Sequence, residues 1–237
     1  MDEKYLPYKQ QILEHCQALT RQGYLIGTGG NVSVRIEGED ALAITPSSMD
    51  YLSLTIDDIC VYNFEKERLA GELTPSVEMG LHTAVYQNRM DVNAVIHTHQ
   101  PYASTYALIN EPIPALFDEQ VDNLGNIVEV VPYGMSGTID LLEKLTSYLD
   151  NQCNAYILQN HGVLCTGLDI EKAARNILLL EKVARVYYYA LTTNKPITRL
   201  NPESEATIFA LLKSNQRKEI RRKKKMARAK AKAKAVA

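Results

Sequence analysis

Two histidines one residue apart, in Val95-Ile96-His97-Thr98-His99-Gln100-Pro101, are the first side chains whose type and spacing suit shared chemistry. The residues before them, Asp91-Val92-Asn93-Ala94-Val95-Ile96, are apolar and β-branched, and Pro101 cannot extend a ladder. Residues 92–99 therefore read as a buried strand running to its end. Side chains alternate faces along a strand, so His97 and His99 share a face and Thr98 takes the other. Two parallel imidazoles at the lip of a sheet suit Zn²⁺, which takes nitrogen ligands in a tetrahedron. Alone, the pair is weak evidence, because buried or merely exposed histidines can show the same spacing. A further histidine strengthens it. Ala155-Tyr156-Ile157-Leu158 reads as a short apolar strand closing on Gln159-Asn160-His161-Gly162, where the glycine permits a sharp turn.

Other stretches offer polar groups that a site would need. Gly27-Thr28-Gly29-Gly30-Asn31 precedes a strand, so its glycines can expose backbone N–H groups to an anion or simply form a turn. It is no dinucleotide fingerprint, which would link a strand to a helix. Thr45-Pro46-Ser47-Ser48 is a turn with three hydroxyls, which can cap their own backbone or line a polar pocket. Thr74-Pro75-Ser76-Val77-Glu78 opens a helix to about residue 87, with Glu78 an acid in the first turn, where the helix dipole favours it. His82, four residues on, reads as structural.

These groups need elements to hold them. A helix is expected over 7–22, a hairpin of strands over 32–36 and 41–45, a strand over 59–64 and a solvated turn over 65–68. A helix over 101–109 leads into a loop, 113–120, that carries adjacent acids at Asp118 and Glu119. A strand over 127–131, a helix over 138–149 and a long helix over 169–192, capped by Asp169, complete the pattern. Irregular alternation with hairpins at the front points to an α/β layered domain with a mixed or antiparallel sheet, not a doubly wound parallel one.

Composition narrows the class. A chain of 237 residues, 46% apolar and 23% charged, can form one large α/β domain with a full core or two small ones. No run of 18 apolar residues occurs, and no apolar segment follows Met1-Asp2-Glu3-Lys4-Tyr5, so neither a membrane span nor a secretory leader is expected. Cys16, Cys60, Cys153 and Cys165 lack paired spacing and read as reduced thiols in a cytoplasmic protein. Charge is uneven. From Arg217 onward there are eleven basic residues and one acid, a charge of +10, which leaves −12 on the rest of a chain whose net charge is −2. That segment reads either as an electrostatic arm for nucleic acid or anionic lipid, or as a solvated appendage.

Taken together, Gly27-Thr28-Gly29-Gly30-Asn31-Val32-Ser33, Thr45-Pro46-Ser47, Pro75-Ser76-Val77-Glu78, His97-Thr98-His99 and Asn160-His161-Gly162 resemble, in order, the motifs of the class II aldolase/adducin superfamily, over about residues 7–200. The resemblance implies a three-layer α/β/α domain with a mixed, largely antiparallel central sheet, assigned to 1–213. The basic segment 214–237 is set apart by its charge, and its Lys/Ala alternation can extend the last helix or remain flexible. The resemblance further implies one Zn²⁺ per subunit held by His97, His99 and His161, with Glu78 as fourth ligand and then as acid/base. It places Gly30, Asn31, Ser47, Ser48 and Ser76 in the substrate or phosphate pocket, and it implies a cyclic homotetramer with active sites near subunit interfaces.

The activity implied is aldol cleavage of a small ketose phosphate or related sugar through a metal-stabilised enediolate. Epimerisation, dehydration or decarboxylation on the same platform is the alternative, and a non-catalytic adducin-like interaction module a third. The chain departs from the aldolase pattern in places. Ser48 stands where those aldolases have glycine, and Val77 where they have a second serine. Phe117-Asp118-Glu119 replaces the loop with a catalytic tyrosine, and no tyrosine follows Tyr189. An acid in that loop resembles the family's epimerase, which assigns a catalytic role to Asp118, with Glu119 the alternative.

Overall fold

A computed structural model describes residues 3–236. One nine-stranded sheet organises them, built from β1 (Asn31–Arg35), β2 (Ala41–Ile44), β3 (Cys60–Asn63), β4 (Arg68–Ala70), β5 (Ala94–Thr98), β6 (Ile113–Pro114), β7 (Ile127–Val131), β8 (Ala155–Leu158) and β9 (Gly162–Gly167). Their order is β4-β3-β2-β1-β5-β9-β8-β7-β6, antiparallel at every pair except β7–β8. Helices cover both faces. Helices α1 (Leu6–Arg21), α3 (Pro101–Ile109) and α6 (Ile170–Thr192) share one core layer with Val32, Val34, Ile96 and Val163. The other layer joins α2 (Met79–Asn88) and α5 (Ile139–Thr146) to Leu42, Val95, Leu158 and Leu164. The sheet is thus mixed and largely antiparallel, between two helical layers, as expected.

Alternation of β5 between these layers fixes the histidines. Val95 and Ile96 are both fully buried, on opposite faces. Burying each contributes about 1.5–3 kcal/mol, and a one-residue slip would turn both the wrong way. Register therefore commits His97 and His99 to the α2 side. β5 pairs on one flank with β1, His97 opposite Asn31, and on the other with β9, Thr98 opposite Val163. The end of β5 and the starts of β1 and β9 meet at one end of the sheet.

Several elements differ from the sequence reading. α2 begins at Met79 and not at Thr74, because an isolated bridge between Pro46 and Pro75, with Ser47 N–H to Thr74 O and Ser76 N–H to Thr45 O, holds 74–76 extended. Residues 68–70 form the edge strand β4. The loop expected over 113–120 holds β6 and the start of α4 (Asp118–Asn123). Helix α7 runs unbroken from Pro202 to Val236, so the expected boundary at 213/214 falls inside it. Contacts to the body explain its continuation: Gln216 Nε2 donates to Gln152 O at 2.9 Å, Asn93 Nδ2 donates to Glu219 at 2.8 Å, and Lys223 Nζ donates to Met90 O at 2.7 Å.

Candidate functional site

His97, His99 and His161 converge where the three strand termini meet. One ring nitrogen from each lies within 4.8 Å of the other two. His97 Nε2 is 2.8 Å from His99 Nε2. His97 is buried, His161 half-buried and His99 exposed, so the cluster opens outward on the His99 side.

The close packing depends on glycine at two positions. Gly30 sits at φ +82°, and a Cβ there would meet His97 O at 2.5 Å. A Cβ on Gly162 would meet His99 Cδ2 at 2.5 Å and Thr98 O at 2.6 Å. Gly30 thus serves first to bring β1 against the histidine backbone.

Glu78, the N-cap residue of α2, closes the cluster from the helical layer. Its Oε2 lies 3.3 Å from His97 Nε2, and its Oε1 lies 3.4 Å from His161 Nε2. Asn31 Nδ2 donates to Oε2 at 2.9 Å, and Ser136 Oγ donates to Oε1 at 2.8 Å. Burial alone would raise the carboxyl pKa. The adjacent His97, the Asn31 hydrogen bond, His161 and Ser136 outweigh it and hold the pKa down at about 2.

A buried relay stands behind Asn31. His82 Nε2 donates to Asn31 Oδ1 at 2.5 Å, which makes His82 Nδ1 the acceptor of Ser33 Oγ at 2.6 Å. Tyr86 Oη and Ser33 Oγ lie 2.7 Å apart. Burial pushes the His82 pKa down to about 4, against the pull of Glu78. His82 is structural, as expected, but the structure it supports is the carboxylate of Glu78.

The donor set suits a metal. His97 Nδ1 donates to Val163 O at 2.8 Å, which leaves the Nε2 lone pair facing the cluster. Burial lowers the His97 pKa to about 3 and shifts that of His99 downward as well, so both rings stay neutral, the form that binds a cation. Two imidazole nitrogens 2.8 Å apart, each able to offer a lone pair, favour a positive centre between them. His161 turns its Nε2 to Glu78, and its Nδ1 is buried with no hydrogen-bond partner among the described residues. Three imidazole nitrogens with a carboxylate are donors that Zn²⁺ accepts.

Of the serines expected in a substrate pocket, Ser76 stands two positions before Glu78, whose N–H it accepts at 3.3 Å. Ser47 and Ser48 hydroxyls lie 3.3 Å apart, on the loop bridged to 74–76. Ser48 holds φ +57°, a left-handed conformation that glycine adopts more readily. Asn31 is present, but its amide is engaged by Glu78 and His82. Asp118 is not brought to the histidines within the chain. It is exposed at the start of α4, next to β6, which lies four strand positions from β5, roughly 19 Å at about 4.8 Å per strand. Glu119 pairs with Lys182 at 2.7 Å on the surface. Ser136 escaped the sequence reading. It stands 58 residues from Glu78 in a Gly-flanked loop, and nothing local marks that contact.

Comparison with known proteins gives this geometry a context. The family described as Class II Aldolase and Adducin N-terminal domain matches residues 10–188. The L-fuculose phosphate aldolase of Escherichia coli O157:H7 is 34% identical over 205 residues, covering 86% of this chain and 94% of that protein. The 5-deoxy-D-ribulose 1-phosphate aldolase of Bacillus thuringiensis serovar kurstaki is 30% identical over 197 residues, covering 83% and 91%. A solved L-fuculose 1-phosphate aldolase superposes with a TM-score of 0.82 at 30% identity, covering 87% of this chain and 96% of that one.

Proposed function

The chain belongs to the class II aldolase and adducin family, and from that premise we propose that it is a zinc-dependent aldehyde-lyase acting on a small 1-phosphorylated ketose. The observation that carries this reading is the convergence of three imidazole nitrogens within 4.8 Å on the carboxylate of Glu78. Zn²⁺ held by His97, His99 and His161 would supply Lewis acidity at vicinal substrate oxygens.

The chain's own residues supply the rest. Glu78 takes the proton of the substrate hydroxyl next to the scissile bond. The C–C bond then breaks, its electron pair goes to the carbonyl-bearing fragment, and that fragment is reprotonated to a phosphorylated ketone while the other leaves as an aldehyde. Asn31 and Ser136 aim the carboxylate, and the Val163 carbonyl fixes the His97 tautomer. The pocket wall combines Ser47, Ser48 and Ser76 with the backbone of Gly30 and Asn31, where hydroxyls and N–H groups suit a phosphate or sugar oxygens.

Asp118 serves in this reading from a neighbouring copy, within a homotetramer. Its exposure and its separation from the histidines of its own chain support that arrangement. So do exposed apolar side chains at Leu108, Ile109 and Phe117 along the same stretch. No described helix is long and apolar enough to cross a membrane. A cytoplasmic setting accords with four free, buried cysteines.

The test is product analysis with metal-replete protein on a panel of ketose 1-phosphates. The reading expects an aldehyde and a phosphorylated ketone in equal amounts. Return of an isomeric sugar without fragments would instead assign epimerisation, the chemistry that the acid at Asp118 resembles.

A further inference from the structure

The family match ends at residue 188, before the basic end of α7. Its side chains divide into two opposed stripes. At 3.6 residues per turn, Gln216, Glu219, Lys223, Met226 and Lys230 share one face. That face is turned to the body: Gln216 is buried, Glu219 holds Asn93, Lys223 holds Met90 O, and Lys230 Nζ donates to Gly38 O at 2.9 Å. Directly opposite run Arg217, Arg221, Lys224, Arg228 and Lys232, all exposed. Among the described residues none of these five has an acidic partner within 4.0 Å, whereas Arg222, on the flank, is paired with Glu37 and Glu219. Hydrogen bonds to the body thus anchor the side it touches, and five cations without an acidic partner line the outer side, with Arg217 and Lys224 at its edge bordering the body.

We infer that this outer stripe of α7 binds the phosphate backbone of a nucleic acid duplex without reading its bases. A straight row of cations spaced about one helical turn apart, roughly 5.4 Å, matches a repeating line of charge better than a point anion. Single strands are bound on aromatic stacking platforms, and the last aromatic residue of the chain is Phe209, before the stripe begins. A lipid surface would reward a large apolar face opposite the cations. Between Met226 and Val236 the non-basic residues are all alanine. The stripe also stands away from the histidines. Its anchors, Asn93, Met90 and the β1–β2 turn, lie at the end of the sheet opposite His97 and His99, so a bound duplex leaves the site open.

Anisotropy of a labelled, mixed-sequence duplex with the full-length protein tests this. Five neutralised phosphates predict roughly 500-fold weaker binding at 200 mM than at 50 mM salt. R221E/K224E/R228E should weaken binding at 50 mM salt at least tenfold and leave thermal unfolding and basal activity unchanged. R221Q/K224Q/R228Q provides a milder second variant with the same direction of effect. K66E/K172E/K195E changes the net charge equally on exposed body lysines and should stay within about threefold of the parent protein. Absence of binding at 50 mM salt, equal losses in both charge-reversed proteins, or tighter binding to phosphatidylserine–phosphatidylcholine vesicles than to the duplex would each overturn the inference.

Discussion

The amide of Asn31 joins two ionisable side chains: its Nδ2 donates to Glu78 Oε2 at 2.9 Å, and its Oδ1 accepts from His82 Nε2 at 2.5 Å. Because β1 and β5 set Asn31 opposite His97, one backbone register brings the partner of the proposed base beside a proposed metal ligand. Losing this amide should disturb proton transfer more than substrate binding. Asn31→Ala is expected to lower kcat by about 10–100-fold with a smaller change in KM. It removes a donor that holds the Glu78 carboxyl down, so the acid limb of the pH–rate profile should move to higher pH. An unmoved limb would sink the positioning role.

His82 gives a stability signature of its own. Its folded pKa, about 4, lies below the ordinary value of 6.5, so the unfolded chain binds the proton more readily. The stability at stake is fully present above pH 6.5 and is lost as pH falls from there through 4, by roughly 3 kcal/mol in all. Denaturant titrations across this range should show that loss, and His82→Gln should flatten it. Equal slopes for the two proteins would refute the assignment.

How much of this was legible in the sequence depends on how local each signal is. Period-two alternation revealed β5 and the common face of His97 and His99, and the apolar run before Asn160 placed His161 at a strand end. The Ser136–Glu78 contact and the bridge between Pro46 and Pro75 join distant segments, and no pattern along the chain predicts them. The bridge is also why Glu78 caps α2 instead of lying inside its first turn. Edge strands β4 and β6, three and two residues long, were too short to show a period. The continuation of α7 rests on anchors such as Asn93–Glu219, which override repulsion between neighbouring lysines.

Ser48 tests the pocket. Holding φ +57° costs a non-glycine residue about 1 kcal/mol, partly offset by the greater chain entropy glycine loses on folding. Ser48→Gly is expected to raise stability by about 0.5 kcal/mol and to lower KM for a phosphorylated ketose relative to its unphosphorylated form. A KM that falls equally for both would remove this loop from phosphate recognition.

Asp118 tests the assembly. Asp118→Asn should cost activity while leaving bound metal unchanged, since the residue lies far from its own histidines. If a neighbour supplies it, co-assembled Asp118→Asn and Glu78→Gln subunits contain some sites with both groups intact and should recover roughly a quarter of parental activity. No recovery in verified mixed assemblies would return Asp118 to a surface role.

The most direct measurement is the metal content of the purified protein beside its His97→Ala variant, each assayed for ketose phosphate cleavage. The account predicts one zinc per parental chain. The variant should retain its fold but lose the metal and at least about 1,000-fold of the activity. Undiminished cleavage by thoroughly metal-free protein, or full zinc retention by His97→Ala, would contradict it.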